Sequence, residues 1–193
     1  RLAYSTALIG QEETARVNIT REFQDLASLY HPNIVEVIDY GIDAQRNPFF
    51  TMEYVEGTRD LLTAGRDLSL VDKVKLLVQV LHALEYLHGK GLVHRNILPA
   101  NLLVTANGQV KLTDFGMLSG SGGDWANTPI YAAPELLARH PETPQSDLYA
   151  LGVIAYQLIA GRAPFAADSP PLDAPPALTE IILRLLAASP EQR

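Results

Sequence analysis

The stretch HRNILPANLLVTANGQVKLTDFG, from His94 to Gly116, is the most informative part of the sequence. It contains two short apolar and β-branched runs, Leu102–Thr105 and Gln109–Leu112, on either side of an Asn-Gly turn signal. An antiparallel hairpin over these runs would bring Asn101, at its entrance, next to Asp114, at its exit. An amide oxygen and a carboxylate are both hard oxygen ligands, so this pair is a candidate Mg²⁺ site.

The composition indicates a folded globular protein. The chain has 193 residues, of which 47% are hydrophobic and 19% charged, enough for one domain or most of one. A net charge of −7 argues against nucleic acid as the main partner, because such a surface repels phosphates. There is no Cys, which excludes disulfides and Cys-based metal or catalytic sites. We therefore expect a cytoplasmic protein.

Two features concern the surroundings of the chain. The most apolar run, Leu148–Ala160, is only about 13 residues long, too short to span a bilayer, so no membrane segment is expected. The sequence starts at Arg1 without a Met, and we expect it to be part of a longer multidomain protein.

The hairpin and its flanks resemble the protein kinase family. Besides Asn101 and Asp114, the sequence has His94-Arg95, Phe115-Gly116 and a downstream Ala133-Pro134-Glu135 in the order of the kinase signature. The resemblance implies an α+β, two-lobe fold. Residues 1–56 would form a partial, β-rich small lobe, and residues 57–193 a mainly helical large lobe.

The periodicity predicts the elements of such a fold. Strands are expected at Val35–Tyr40 and Pro48–Tyr54, and a further strand within residues 1–10. Helical patterns cover Thr20–Tyr30, the segment from Ser69 to Gly89, the segment that begins at Ser146, and Leu178–Ala188. Ser69 and Ser146 are the predicted N-caps of the second and third of these helices. In the helix after Ser69, the predicted buried stripe consists of Val74, Leu77, Val78, Leu81, Leu84 and Leu87.

The resemblance also implies a nucleotide site. Asn101 and Asp114 would hold Mg²⁺ between the phosphates of ATP. Met52 would be the gatekeeper beside the adenine, which the backbone of Glu53 and Val55 would hold from the edge and Leu103 from below. Glu22 would orient the Lys of the third strand. The helical pattern alone is equally compatible with a solvated surface Glu at this position.

Other residues would have positioning roles by the same resemblance. Arg95 would hold a phosphate on the activation loop, and His94 and Phe115 would stack in a spine anchored at Asp147. Gly116 completes the Asp-Phe-Gly motif, and Thr128 opens a Thr-Pro-x-Tyr-x-Ala-Pro-Glu pattern typical of Ser/Thr kinases. Glu135 would pair with Arg193. His82 and His88 are interpreted as structural or surface residues rather than metal ligands.

The sequence departs from the family pattern where the proton is transferred. Asn96 stands at the position of the catalytic Asp, and Leu98 at that of the catalytic-loop Lys. An amide has no basicity near neutral pH, and the loss of a general base costs roughly 10²–10⁴ in rate. Nothing in the chain supplies the Gly-rich phosphate loop, and the third-strand Lys would fall at or before Arg1.

Three functional interpretations stay open at this point. The first is a pseudokinase-like domain of a signalling protein that binds ATP and Mg²⁺ but phosphorylates proteins weakly or not at all. The second is an active Ser/Thr kinase, and the third a nucleotide-independent scaffold or regulatory module. The sequence names neither a protein substrate nor a regulatory partner, and phosphorylation of Ser119, Ser121 or Thr128 is open.

Overall fold

A computed structural model describes residues 2–6, 26–43, 48–114, 129–165 and 170–193. Their strands are β1 (Leu2–Thr6), β2 (Val37–Ile42), β3 (Pro48–Glu53), β4 (Arg59–Asp60), β5 (Leu102–Val104) and β6 (Val110–Leu112). Their α-helices are α1 (Leu61–Gly65), α2 (Leu70–Gly89), α3 (Pro134–Leu137), α4 (Pro144–Ala160) and α5 (Pro176–Leu185). Single 3₁₀ turns lie at Pro99–Asn101, Pro129–Tyr131 and Pro190–Gln192. None of the described helices combines the length and apolar composition needed to cross a bilayer.

The first sheet has the strand order β1-β3-β2 and is antiparallel throughout. Leu2 lies opposite Glu53, and Val37 opposite Met52, with an irregularity in register just after Val37. The predicted strands are confirmed, although β2 begins and ends two residues later than expected. Of the predicted helix at Thr20–Tyr30, the described part contains only the end, and Glu22 lies outside the described residues.

The second sheet contains the predicted hairpin. Its order is β4-β5-β6, with Leu102 opposite Leu112 and Val104 opposite Val110. Each hairpin strand is one residue shorter at the turn than predicted. Gly108, with φ of 80°, occupies the left-handed position that the turn requires. The hairpin is confirmed because its signal is local: an Asn-Gly turn between two β-branched runs.

Helix α2 begins where its cap predicts, since the Ser69 Oγ accepts a hydrogen bond from the backbone N–H of Asp72. Its buried stripe differs from the predicted one. Val78 and Leu81 are 39% and 37% exposed, whereas Val80 and Ala83 are fully buried. Apolar residues cover more than half the circumference of this helix, so periodicity alone did not decide which side faces the core.

Helix α4 is almost entirely buried, as its apolar composition predicts, but the residue predicted to begin it was wrong. Ser146 was expected to be the N-cap; the helix instead begins at Pro144 after the N-cap Thr143. The Ser146 Oγ accepts from the Thr143 N–H at 3.1 Å, the return contact of a capping box. The fixed φ of Pro144 favours the first helical position and explains the earlier start.

The remaining differences are the ends of α5 and short elements that were not predicted. Helix α5 starts at Pro176 rather than at Leu178 and ends at Leu185 rather than at Ala188. Strand β4 and helix α1 were not predicted, although the Asp60 side chain caps α1 by accepting from the Thr63 N–H at 3.0 Å. The division of the chain at residues 56 and 57 stays a prediction.

Candidate functional site

A buried carboxylate at the start of α4 fixes the loop that contains His94. Asp147, 2% exposed, accepts hydrogen bonds from the backbone N–H groups of His94 at 2.8 Å and Arg95 at 3.0 Å. The Nε2 of His88 lies 2.9 Å from the same carboxylate. Arg95 has a φ of 70°, which is unfavourable for a side chain of this size and requires surrounding contacts to hold it. The Asp147 hydrogen bonds supply such contacts.

His94 joins this loop to the end of β6. Its side chain is completely buried, and its Nδ1 accepts from the backbone N–H of Asn96 at 3.2 Å. Its Nε2 lies 3.2 Å from the carbonyl oxygen of Thr113, so the proton belongs on Nε2. Burial lowers the pKa of His94 to about 4, against the opposing effects of Asp147 and the Thr113 carbonyl. The imidazole is therefore neutral at physiological pH.

Asn96 is held in place by its neighbours rather than free in the loop. Its Nδ2 donates to the backbone oxygen of Asp114 at 3.4 Å, and its own backbone oxygen accepts from the Nδ2 of Asn101 at 2.8 Å. Leu98 is half-buried and precedes the 3₁₀ turn that leads into β5. The loop thus places an amide and an apolar side chain at the two positions where the sequence departs from the family pattern.

The hairpin brings Asn101 and Asp114 to the same end. The backbone oxygen of Asn101 accepts from the Thr113 N–H at 3.0 Å, which pairs the entrance of the hairpin with its exit. Asn101 is 7% exposed, and its Oδ1 makes no hydrogen bond within the described part of the chain. The Asp114 carboxylate is also unpaired among the described residues, and desolvation by the surrounding protein raises its pKa. Two unpaired hard oxygen donors fit a divalent cation.

The predicted adenine-binding strand contacts the hairpin on two sides. Met52 lies on β3 and is 8% exposed, and its Sδ accepts a hydrogen bond from the Thr113 Oγ1 at 3.6 Å. The adjacent Glu53 accepts an ion-pair contact from the Lys111 Nζ at 2.9 Å. Leu103 lies half-buried on β5, directly opposite Lys111 on β6. Val55, also half-buried, packs against the core just beyond β3. The Lys111–Glu53 pair was not predicted, because the two residues are 58 positions apart.

A buried ion pair joins Arg193 to Glu135 on α3. Both Nη atoms of Arg193 contact the Glu135 carboxylate, at 2.6 and 2.8 Å. The Arg193 side chain is fully buried and the Glu135 side chain 7% exposed. The guanidinium also lies 4.9 Å from the centre of the Tyr149 ring, close enough for a cation–π contact. The pair anchors α3 to the end of the chain.

Arg95 points towards a small cavity of about 20 Å³, room for about one water molecule, lined also by Asn96, Leu98, Tyr131 and Asp147. Its buried Nε has no hydrogen-bond partner among the described residues. The other predicted site residues, Glu22, Phe115, Gly116 and Thr128, lie outside the described residues, as do Ser119 and Ser121.

The comparison with known protein families decides the affiliation. The profile of the protein kinase domain matches residues 7–190. The chain belongs to the protein kinase family. The expected α+β kinase fold is confirmed by the crystal structure of the Mycobacterium tuberculosis PknI kinase domain, which matches with a TM-score of 0.75. That match is 29% identical and covers 100% of this chain and 79% of the PknI chain.

Curated relatives point to the same family. A probable serine/threonine-protein kinase of Streptomyces coelicolor is 39% identical over 176 residues, 84% of this chain and 26% of that protein. The serine/threonine-protein kinase PknA of Mycobacterium tuberculosis is 36% identical over 200 residues, 89% of this chain and 46% of PknA. The chain therefore spans between about a quarter and a half of the length of these relatives.

Proposed function

We propose that this kinase domain binds ATP with Mg²⁺ and that its transfer of the γ-phosphate to protein hydroxyls is slow or lost. The observation that carries the proposal is an asymmetry in the site. On the metal side, oxygens of Asn101 and Asp114 have no partner among the described residues, whereas the proton side has Asn96 held in its loop. Oxygen ligands for the metal of a bound nucleotide are present, and the group that would accept a proton is not.

The metal side supports nucleotide binding. Bound Mg²⁺ would neutralise the phosphates of ATP and orient them, and Asn101 and Asp114 would hold it. Within the described ranges, no three His, Cys, Asp or Glu side chains form a metal cluster. Phosphate oxygens and water would therefore complete the coordination, which is the usual arrangement for Mg²⁺.

Met52 and Leu103, on β3 and β5, would contact the adenine. The Lys111–Glu53 ion pair and the contact from Thr113 to Met52 connect β3 to β6 and to the residue after it, and β6 pairs with β5 in the hairpin. These contacts keep the strand that would bind adenine close to the hairpin that would bind the metal.

The proton side explains the expected loss of rate. The Asn96 side chain can orient a substrate hydroxyl through its carbonyl oxygen, but an amide cannot remove the proton. The absence of a general base costs roughly 10²–10⁴ in rate. Leu98 also removes a cation beside the γ-phosphate, and one lost partner of transition-state charge costs about 3–4 kcal/mol. The two costs need not add, because both residues serve one step.

A second candidate is an active Ser/Thr kinase that phosphorylates a protein hydroxyl. It is favoured by the curated relatives, which are named serine/threonine-protein kinases at 36–39% identity. It is also favoured by the pattern from Thr128 to Glu135, which matches the segment that follows the activation loop in Ser/Thr kinases. In this case Asn96 would orient the hydroxyl and the solvent would accept the proton.

A third candidate, a nucleotide-independent scaffold, would use neither Asn101 nor Asp114.

The deciding experiment measures nucleotide binding and phosphate transfer separately in the intact protein. Binding of Mg²⁺-ATP is measured by calorimetry, and transfer by incorporation of labelled γ-phosphate into the protein itself or a generic acceptor. Asp114→Ala is the blank for both. We expect wild-type protein to bind and transfer little, and Asn96→Asp with Leu98→Lys to raise transfer by orders of magnitude.

Each other outcome selects another function. Rapid transfer by the wild type that persists in Asn96→Ala would refute the impaired-kinase proposal and support an active enzyme. No binding by the wild type, with no change in Asp114→Ala, would leave the scaffold. No gain in the Asn96→Asp, Leu98→Lys protein despite nucleotide binding would show that these two positions do not limit the reaction.

A further inference from the structure

Helix α2 contains a side-chain amide, that of Gln79, which hydrogen-bonds both to the β5–β6 hairpin and to the loop before β2. The Oε1 of Gln79 accepts from the backbone N–H of Val110 at 2.9 Å and from the Nδ2 of Asn33 at 2.9 Å. Its Nε2 donates to the backbone oxygen of Gly108 at 3.0 Å. One half-buried side chain therefore contacts the hairpin turn, the first residue of β6 and the loop before β2.

Asn33 binds β6 next to Gln79. Its side chain is 7% exposed, and besides Gln79 its Nδ2 donates to the backbone oxygen of Val110 at 2.9 Å. Its backbone oxygen accepts from the Leu112 N–H at 2.8 Å, and the Leu112 oxygen accepts from the Val35 N–H at 2.9 Å. The loop that contains Asn33 thus pairs with β6 as a short additional strand.

A third amide completes the set. The Nε2 of Gln109, in the turn, donates to the backbone oxygen of Pro32 at 3.0 Å. We call Asn33, Gln79 and Gln109 the amide clamp. All three side chains are uncharged, so their hydrogen bonds depend little on pH or ionic strength, unlike those of a surface ion pair.

The clamp connects both halves of the proposed nucleotide site. At one end, β6 leads to Asp114, whose approach to Asn101 depends on the register of the hairpin. At the other end, the loop of Asn33 continues to Glu36, whose backbone oxygen accepts from the Glu53 N–H on β3 at 2.8 Å. Residues 33–36 therefore add a backbone connection between the proposed metal-binding hairpin and the proposed adenine-binding strand, besides the Lys111–Glu53 and Thr113–Met52 contacts.

We infer that Gln79 is a positioning residue for the bound nucleotide, acting through the amide clamp that ties the hairpin to the loop before β2. This inference rests on the proposed nucleotide binding and specifies which residue of α2 sustains it. Gln79 lies on a different element from every residue that would contact the ligand. Its effect on affinity must therefore pass through its hydrogen-bond partners, which are the backbone of Gly108 and Val110 and the side chain of Asn33.

The test replaces Gln79 by Leu, which keeps the size of the side chain and removes all its hydrogen bonds. Gln79→Glu is the conservative variant, because a carboxylate still accepts from Val110 and Asn33 but cannot donate to Gly108. Tyr156→Phe is the matched control. It also removes a side chain–backbone hydrogen bond, from Tyr156 on α4 to the backbone oxygen of Pro170.

Two measurements are made on the intact protein. Calorimetry with Mg²⁺ and a non-hydrolysable ATP analogue gives the affinity, and hydrogen exchange without ligand gives the protection of the Val110 and Leu112 amides. In Gln79→Leu we expect the affinity to fall about tenfold, within the range that an unmade buried hydrogen bond produces. Exchange at Val110 and Leu112 should accelerate more than exchange in the α4 core. Gln79→Glu should recover part of both, and Tyr156→Phe should change neither.

The outcomes separate this inference from the proposed function. If the wild type binds the analogue and Gln79→Leu binds it equally well, the positioning role is refuted. It is also refuted if Tyr156→Phe has the same Tm as Gln79→Leu and loses the same affinity for the analogue. The loss of affinity would then follow from reduced stability of the whole domain. If the wild type does not bind the analogue, the proposed function fails. Uniform exchange in Gln79→Leu without local acceleration would show that the clamp does not hold the hairpin.

Discussion

Replacing Glu135 by Gln should destabilise the domain by about 3 kcal/mol, because it leaves a buried guanidinium without its counter-ion. All five N–H groups of Arg193 donate hydrogen bonds: two to Glu135, and one each to the backbone oxygens of Gln145, Ala187 and Ala188. An Arg so fully bound cannot turn to solvent without losing the other three bonds, so it stays buried.

The magnitude follows from burial. The Arg193 side chain is 0% and the Glu135 side chain 7% exposed. A pair this deeply buried costs about 3–5 kcal/mol when one partner is removed. Gln keeps one acceptor oxygen, which places the expected loss at the lower end, but its NH₂ group faces the guanidinium donors. For a chain of this size, 3 kcal/mol corresponds to a fall in Tm of about 6–12 °C.

Urea unfolding at neutral pH gives the free energy, with a constant slope as the check that the transition is still two-state. A separate double-mutant cycle uses the single changes Glu135→Leu and Arg193→Met and the double change of both residues. The double variant should cost less than the sum of the single changes Glu135→Leu and Arg193→Met by about 2 kcal/mol or more, because it leaves no unpaired buried charge. A loss below about 1 kcal/mol for Glu135→Gln, or strict additivity in the cycle, would refute the reasoning.

Three further predictions concern the core and the contact between the sheets. Because His94 is buried and its pKa is lowered to about 4, the unfolded state binds the proton first as the pH falls. The free energy of unfolding, measured with urea, should therefore fall by about 3 kcal/mol as the pH is lowered from 6.5 to 4. A His94→Phe variant should lack this part of the pH dependence. Lys111→Met should lower the free energy of unfolding by only about 0.5–1 kcal/mol, because the side chain of its partner Glu53 is 38% exposed. In 1 M salt the difference between Lys111→Met and wild type should become smaller. An equal difference in high salt would argue against an electrostatic contact. Gly152→Ala should destabilise by about 1–3 kcal/mol, because its Cβ would lie 2.8 Å from the Cβ and 3.2 Å from the backbone carbon of Leu185; an unchanged Tm would show that α5 yields.

The hairpin of β5 and β6 and the N-terminus of α2 could be predicted from the sequence because their signals are local. The Asn-Gly turn selects the hairpin, and the Ser69 side chain caps the helix within three residues. At Ser146 the same kind of reasoning chose the wrong cap. Both Thr143 and Ser146 have capping side chains, and the intervening Pro144 decided between them.

Burial on a strongly apolar helix could not be predicted in this way. Val78 and Val80 are the same residue type two positions apart, yet one is 39% exposed and the other fully buried. The difference depends on which neighbours pack against α2, and those neighbours come from distant parts of the chain. The amide clamp was missed for the same reason, since Asn33 and Gln79 are 46 positions apart.

The sequence by itself determined the order of the kinase motifs and the hairpin that presents Asn101 and Asp114, and it is the basis for the prediction that Asn96 stands at the position of the catalytic base. These are matters of residue identity and of contacts within a few positions. Only the tertiary structure decided that Lys111 pairs with Glu53, that Gln79 binds the hairpin, and that His88 contacts Asp147. Such contacts form when separate elements pack together, and the free energy that selects them comes from burying the whole core, so it is not encoded in any one segment.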